Sequence, residues 1–88
     1  MDSAPSLADL PPGSTGRLLG YRSTDSAYLR FRELGLLPGT AFTVVRRAPL
    51  GDPIEISIGG ALLSIRRDQA AHIAVEADST ASGTAVSR

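Results

Sequence analysis

The sequence predicts a mainly β domain with one helix, built as a small barrel of about five short strands with the helix inserted after the first strand. Short apolar runs alternate with polar residues at a period of two, and glycines and prolines stand mainly between these runs. Only the stretch from Ser26 to Leu36 carries apolar residues at helical spacing. Because the chain has 88 residues, it has room for a single compact core.

The first strand is predicted over Thr15 to Tyr21, and the helix follows over Ser26 to Leu36. Asp25 or Ser26 can cap the amino end of the helix, and Gly35 stands where a residue with positive φ commonly ends one. The apolar stripe of the helix has the spacing i, i+4, i+7. We therefore expect these side chains to face the core: Ala27, Phe31 and Leu34.

A tight corner and a second strand are predicted after the helix. The segment from Leu37 to Thr40 has proline at the second turn position and glycine at the third, which a type II turn requires. The second strand spans Ala41 to Arg47, with Phe42 and Val44 on one face.

The third and fourth strands are predicted to form a hairpin around Gly59-Gly60, a pair suited to a two-residue turn. This turn fixes the register. Every pair on the inner face is then apolar: Ile58 with Ala61, Ile56 with Leu63, and Ile54 with Ile65. The outer face pairs Ser57 with Leu62 and Glu55 with Ser64.

The end of the domain is predicted as one helical turn over Arg67 to Ala71 and a last strand with Ile73 and Val75 facing inward, while His72, Ala74 and Glu76 point the other way. We expect a flexible amino terminus over residues 1–6, the domain over residues 7–76, and a disordered tail over residues 77–88, whose small polar residues cannot offset the entropy of ordering. Five short strands with one helix are most economically closed as an SH3-like barrel; a Greek-key OB-type barrel is the rival and needs longer strands.

Composition argues against several classes of function. The chain has no cysteine and one histidine (His72), so thiol chemistry and a defined metal site are not expected. Its nine arginines are balanced by nine acidic residues. No phosphate-binding loop, nucleophile elbow or paired catalytic carboxylates are recognisable, which predicts a protein that is not an enzyme and needs no cofactor. Zero net charge disfavours nucleic acid; the arginine pairs 46–47 and 66–67 are expected to be solvated or ion-paired with Glu55 or Asp68.

Two motifs at the expected separation carry a resemblance to a known family. They are the corner Leu34-Gly35-Leu36-Leu37-Pro38-Gly39 and the loop Ala48-Pro49-Leu50-Gly51-Asp52-Pro53, followed by Ser64-Ile65-Arg66-Arg67-Asp68-Gln69-Ala70. Together they closely resemble the ferrous iron transport protein A (FeoA) family, and the resemblance runs from about Leu7 to Glu76. It implies a cytoplasmic, SH3-like accessory protein of bacterial ferrous iron uptake. Its partner would be the cytosolic GTP-binding part of the FeoB transporter, through which alone it would meet the membrane.

The candidate partner-binding residues are Leu37, Pro49, Leu50, Arg30 and Arg32. Pro49 and Leu50, with Leu37 from the neighbouring corner, would form one apolar contact patch; the alternative is that Leu50 folds back over the end of the barrel. Arg30 and Arg32 make the helix a second surface, and one of them could act as an arginine finger toward the partner's nucleotide.

Two other functions have similar strand patterns. One is the SH3-like carboxy-terminal module of metal-dependent repressors, whose upstream winged helix and metal ligands this sequence lacks. The other is a small nucleic-acid-binding barrel, disfavoured by charge and by the need for Phe31 and Phe42 in the core. Open barrel edges would also allow weak self-association.

Overall fold

The structure is a computed structural model that describes residues 4–78. The elements are a 3-10 helix at Leu7–Asp9, β1 at Thr15–Tyr21, α1 at Ala27–Glu33, β2 at Ala41–Arg47, β3 at Ile54–Ile58, β4 at Ala61–Ile65, α2 at Arg67–Ala70 and β5 at Ile73–Ala77. All five strands pair antiparallel in one sheet of order β4-β3-β2-β1-β5. The mainly β class and the helix after the first strand are confirmed.

The predicted hairpin of β3 and β4 is present with the predicted register. Ile58 pairs with Ala61 next to the turn, and the inner pairs that follow are apolar throughout the ladder. Gly59 and Gly60 have φ of 54° and 88°, which a type I′ turn requires at both central positions. Local turn chemistry and the face pattern therefore select the same pairing.

The core is formed by one face of the sheet together with residues of α1 and the 3-10 helix. Its most completely buried side chains come from every strand, from the 3-10 helix and from the end of α1: Leu7, Leu18, Leu36, Val44, Ile54, Ile56, Ile65, Ile73 and Val75. Phe42 and Val44 of β2 are both buried, as the alternation in that strand predicts.

Helix α1 turns a different face to the core from the predicted one. Tyr28 and Phe31 are buried, whereas Ala27 is exposed and Leu34 is 48% exposed, so the predicted stripe is wrong at two of its three positions. The helix ends at Glu33, and the Leu36 N–H donates to the Phe31 carbonyl at 3.0 Å in a Schellman-type end around Gly35. This end turns Leu36, rather than Leu34, into the core.

The amino-terminal segment covers the outer edge of β5. Ser6 bridges to Ala74, and the Val75 N–H donates to the Pro5 carbonyl at 3.0 Å. Ala74, on the opposite face of the strand from Ile73 and Val75, is fully buried as well. This edge of the sheet is therefore closed by the chain itself.

Arg47 anchors the 3-10 helix from β2. Its Nη2 donates to the carbonyl of Ala8 at 2.7 Å and to that of Leu10. The sequence predicted that this arginine pair is solvated or ion-paired, and for Arg47 that prediction is wrong, because its side chain is half-buried and donates to backbone carbonyls. A guanidinium that donates to two carbonyls holds the 3-10 helix firmly, because charge-assisted hydrogen bonds are stronger than neutral ones.

Pairing at the carboxyl end extends to Asp78. Ala77 pairs with Gly16, the Asp78 N–H donates to the Thr15 carbonyl at 2.9 Å, and Thr15 Oγ1 donates to Asp78 Oδ2 at 2.8 Å. The rest of the predicted tail, residues 79–88, and residues 1–3 of the predicted flexible amino terminus lie outside the described residues.

Candidate partner-binding surfaces

The loop between β2 and β3 is a short, internally bonded projection. The Ala48 N–H donates to the Pro53 carbonyl at 3.0 Å across the neck of the loop, and the Gly51 N–H donates back to the Ala48 carbonyl at 2.7 Å. Proline at the second position and glycine at the fourth suit the tight turn from Ala48 to Gly51. The peptide bond between Asp52 and Pro53 is cis.

A further contact fixes the loop to the body of the domain. The carboxylate of Asp52 accepts a hydrogen bond through Oδ1 from the backbone N–H of Arg67 at 3.0 Å. Arg67 is the first residue of α2, so Asp52 satisfies one of the N–H groups that a helix start leaves unpaired. Asp52 thus joins the β2–β3 loop to the start of α2.

Asp52→Ala should lower the free energy of unfolding by about 1 kcal/mol, the usual cost of losing a side-chain acceptor at a helix start. Urea denaturation followed by circular dichroism measures this. Asp68→Ala is the matched control. Asp68 follows Arg67 in the first turn of α2, and its carboxylate accepts no hydrogen bond within residues 4–78. Equal losses for the two variants would contradict the assignment.

Leu50 projects from the tip of this loop into solvent. Its exposed fraction is 96%, the largest of any large apolar side chain in the described part of the chain. The alternative in which Leu50 folds back over the end of the barrel is therefore not the arrangement found. A recess of about 180 Å³ lies at the base of the loop, between Arg46, Pro49 and Glu55.

The corner between α1 and β2 exposes the second apolar candidate. Leu37 is 48% exposed, and the turn from Leu37 to Thr40 has the predicted form, with the Thr40 N–H donating to the Leu37 carbonyl at 2.8 Å and φ of 91° at Gly39. Thr40 Oγ1 also donates to the Gly35 carbonyl and accepts from the Leu37 N–H, each at 3.0 Å. The corner is thus rigid, like the loop.

Leu37 and Leu50 do not form one patch. Leu37 precedes β2 and Leu50 follows it, so the seven residues of the strand separate them. At a rise of roughly 3.3 Å per residue, β2 is about 20 Å long. The single patch predicted from the sequence is therefore two apolar surfaces at opposite ends of one strand.

The two helix arginines differ in their surroundings. The Arg32 guanidinium lies over the Tyr21 ring at 4.5 Å from the ring centre, a cation–π contact. Tyr21 in turn donates from its hydroxyl to the Leu36 carbonyl at 2.7 Å. Arg30 is exposed, and its side chain makes no hydrogen bond or ion pair within residues 4–78. Of the two, Arg30 is the one available to a partner.

The phenols of Tyr21 and of Tyr28, a residue of α1 itself, both have a raised pKa. Burial raises the pKa of Tyr21 above its ordinary value, although the Arg32 guanidinium acts in the opposite direction. Burial also raises the pKa of Tyr28, and the carboxylates of Asp25 and Asp68 add to this. Tyr28 donates from its hydroxyl to the Gln69 carbonyl at 3.1 Å, which ties α1 to α2.

Two further arginines, Arg46 and Arg17, are bound to neighbouring groups of the chain. Arg46 pairs with Glu55 at 2.7 Å, which confirms the predicted ion pair on the outer face. Arg17 Nη1 donates to the Gly39 carbonyl at 3.1 Å. Phe31 and Phe42 are buried, so neither is available as a platform on which bases could stack.

His72 lines a shallow cleft of about 320 Å³ together with Asp25, Tyr28 and Asp68. Within residues 4–78 no three histidine, cysteine, aspartate or glutamate side chains come together closely enough to hold a metal ion. In the same part of the chain, no helix is long and apolar enough to cross a bilayer.

A manganese-dependent transcriptional repressor shares the architecture of this chain. It is 23% identical with a TM-score of 0.76, over 86% of this chain and 42% of the repressor. At this identity the likeness shows the fold alone. The similarity to a repressor module that the sequence indicated is confirmed at that level.

Closer relatives are found among proteins of one family. The FeoA protein of Chlorobium tepidum is 37% identical with a TM-score of 0.76, over 81% of this chain and 68% of that protein. FeoA of Stenotrophomonas maltophilia, described as a prokaryotic SH3 domain protein and crystallised with zinc, is 25% identical with a TM-score of 0.72, over 83% of this chain and 91% of that protein. The FeoA domain family matches residues 6–77, and the chain therefore belongs to the FeoA domain family, with its SH3-like fold.

Proposed function

We propose that this protein is a non-enzymatic accessory protein of ferrous iron transport that binds the cytosolic GTP-binding part of a FeoB-type transporter through the tip of its β2–β3 loop. Membership of the FeoA family supports the accessory role in ferrous iron transport. The observation that carries the mode of action is Leu50, 96% exposed on a loop whose own hydrogen bonds fix its shape.

Rigidity is what makes the loop suited to binding. Association costs free energy for every side chain and loop that it orders, so a tip already held in place loses less entropy on docking. Pro49 and the neck bond from Ala48 to Pro53 restrict the backbone on both sides of Leu50. The tip can therefore enter an apolar pocket of the partner without reorganising.

The recess beside the loop supplies polar contacts around this anchor. Arg46 and Glu55 line it, and their side chains are 71% and 28% exposed. Binding surfaces commonly combine a buried apolar centre with a polar rim. In this arrangement Leu50 and Pro49 form the centre of the contact, while Arg46 and Glu55 lie at its rim.

The remaining candidates belong to other surfaces. Leu37 stands at the far end of β2, and Arg30 lies on the exposed side of α1. We place them in a second contact with the same partner, and we assign Arg32 a positioning role because its guanidinium is held over Tyr21. The protein acts in the cytoplasm and reaches the membrane only through the transporter.

Leu50→Asp should weaken binding to the isolated GTP-binding domain of the transporter at least tenfold, because a carboxylate would have to be desolvated in an apolar pocket. Isothermal titration calorimetry with the purified domain measures the dissociation constant. Since Leu50 has almost no contacts within the chain, the variant should unfold at the same urea concentration as the wild type.

Two variants make the comparison specific. Leu37→Asp places the same charge in the proposed second contact and should weaken binding about threefold, less than Leu50→Asp does. Leu19→Asp places it on β1, outside both proposed contacts, where Leu19 is 38% exposed, and should leave binding unchanged. A folded Leu50→Asp protein that binds as tightly as the wild type would refute the proposed contact, and no binding by the wild type would refute the partner.

A further inference from the structure

The sheet has one covered edge and one open edge. β5 is covered on its outer side by Pro5 and Ser6. β4, at the other end of the strand order, pairs only with β3. Within residues 4–78, no backbone group of β4 bonds to any segment besides β3.

The turn determines which backbone groups of β4 are unpaired. In a two-residue hairpin the residues flanking the turn exchange hydrogen bonds, so Ile58 and Ala61 form a bonded pair. Pairing alternates along the ladder, and Leu63 and Ile65 therefore also bond to β3. The N–H and C=O groups of Leu62 and Ser64 consequently point outward from the sheet.

This edge lacks proline, charged side chains and bulges, three of the features with which proteins prevent pairing between sheets. The strand reads Ala-Leu-Leu-Ser-Ile, without proline or charge. Its register with β3 is uninterrupted, whereas the β1–β5 and β2–β3 ladders each contain an irregularity. Leu62 is also 64% exposed on the outer face.

We propose that β4 is a self-association site, at which it pairs antiparallel with β4 of a second copy of this chain. With the two Leu63 residues facing each other across the two-fold axis, Leu62 of each copy lies opposite Ser64 of the other. Each such pair exchanges two hydrogen bonds, so the outward groups of both residues are satisfied in both copies. The edge is thus complementary to itself, and one sheet of ten strands runs through the dimer.

Charge permits this pairing of identical molecules. The chain carries nine basic and nine acidic residues, so two copies approach without net repulsion. No like charges face each other in the paired strand, which is uncharged along its whole length. A contact limited to one short strand is small, and we expect a dissociation constant on the order of 0.1 mM.

Sedimentation velocity between 10 µM and 1 mM on the wild-type protein alone tests the proposal, since no transporter is needed. Leu62→Lys places a charge at the edge, and Ser64→Pro removes an outward N–H without removing any bond to β3. Leu50→Lys is the control, because it exchanges an exposed leucine for the same charge away from β4. We expect Leu62→Lys and Ser64→Pro to raise the dissociation constant at least tenfold and Leu50→Lys to leave it unchanged.

Amide hydrogen exchange gives a second readout that does not depend on a variant that folds. The amides of Leu62 and Ser64 should become protected as the protein concentration rises, whereas those of Leu63 and Ile65 should be protected at all concentrations. A wild-type protein that is monomeric at 1 mM would overturn the proposal. So would a dimer that Leu62→Lys leaves intact. Either result would leave the proposed transporter contact at Leu50 unaffected.

Discussion

Ile56→Ala is expected to lower the free energy of unfolding by about 3 to 4 kcal/mol. Ile56 lies at the centre of β3 and is completely buried. It pairs with Val44 on one side and Leu63 on the other, and both neighbours are buried as well. Removing three carbon atoms from this site costs the transfer free energy of the lost groups and leaves a cavity, because paired strands on both sides cannot close in.

Urea denaturation of the variant, with the transition followed by tyrosine fluorescence, measures the effect. Ile56→Val deletes one carbon from the same site and should cost about 1 kcal/mol. Leu62→Ala is the control for truncating a side chain of the same hairpin, since Leu62 is 64% exposed. We expect it to cost less than about 1 kcal/mol. Similar losses of stability for Ile56→Ala and Leu62→Ala would contradict the assignment of Ile56 to the inner face of the hairpin and of Leu62 to the outer face.

The hairpin could be predicted in detail because its information is local. Gly59 and Gly60 specify the turn, and the turn specifies the register. The apolar residues on one face then either agree with that register or do not. They agree here at every inner pair, so two independent constraints led to the arrangement that the structure shows.

The buried face of α1 could not be predicted from local sequence. Ala27 and Leu34 have the spacing of an apolar stripe with Phe31, but contacts with residues distant in sequence bury Tyr28 instead. The Tyr28 hydroxyl reaches the Gln69 carbonyl across 41 positions of the chain, and its ring meets the Tyr21 ring at 5.3 Å. Periodicity treats a tyrosine at this position as neutral, whereas tertiary packing buries it.

The candidate site shows the same division. The position of Leu50 at the tip of a loop held by two prolines and a glycine could be predicted, whereas the sequence left open whether the side chain is exposed or folds back over the barrel. The separation of Leu37 from Leu50 depends on a strand crossing between them, and the role of Arg47 depends on carbonyls nearly forty residues away. Only Ser6-Leu7-Ala8-Asp9 carried a local signal for the 3-10 helix that Arg47 anchors: Asp9 Oδ2 accepts from the Ser6 N–H at 2.9 Å, as in a capping box.

Gly16→Ala should lower the free energy of unfolding by about 3 kcal/mol. A Cβ at this position would lie 2.3 Å from the Glu76 carbonyl oxygen and 3.1 Å from the Ala77 Cα. Both are backbone atoms of β5, which pairs with β1 at this point, so neither can turn aside as a flexible side chain could. The strands must separate locally, at a cost typical of overpacking in a buried site.

Gly13→Ala separates this clash from strain in the glycine backbone itself. Gly13 has φ of 91°, but a Cβ there would meet nothing within 4 Å, so the expected loss is only about 1 kcal/mol. Amide hydrogen exchange distinguishes the two mechanisms. In Gly16→Ala the amides of Glu76 and Ala77 should exchange through local opening and lose protection, whereas the amides of β3 and β4 should still exchange only through global unfolding. A Gly16→Ala protein as stable as the wild type would mean that β1 and β5 do not approach as closely as their pairing requires. The fold of this chain depends on that approach, because β5 joins the sheet through β1 and the amino-terminal segment in turn lies on β5.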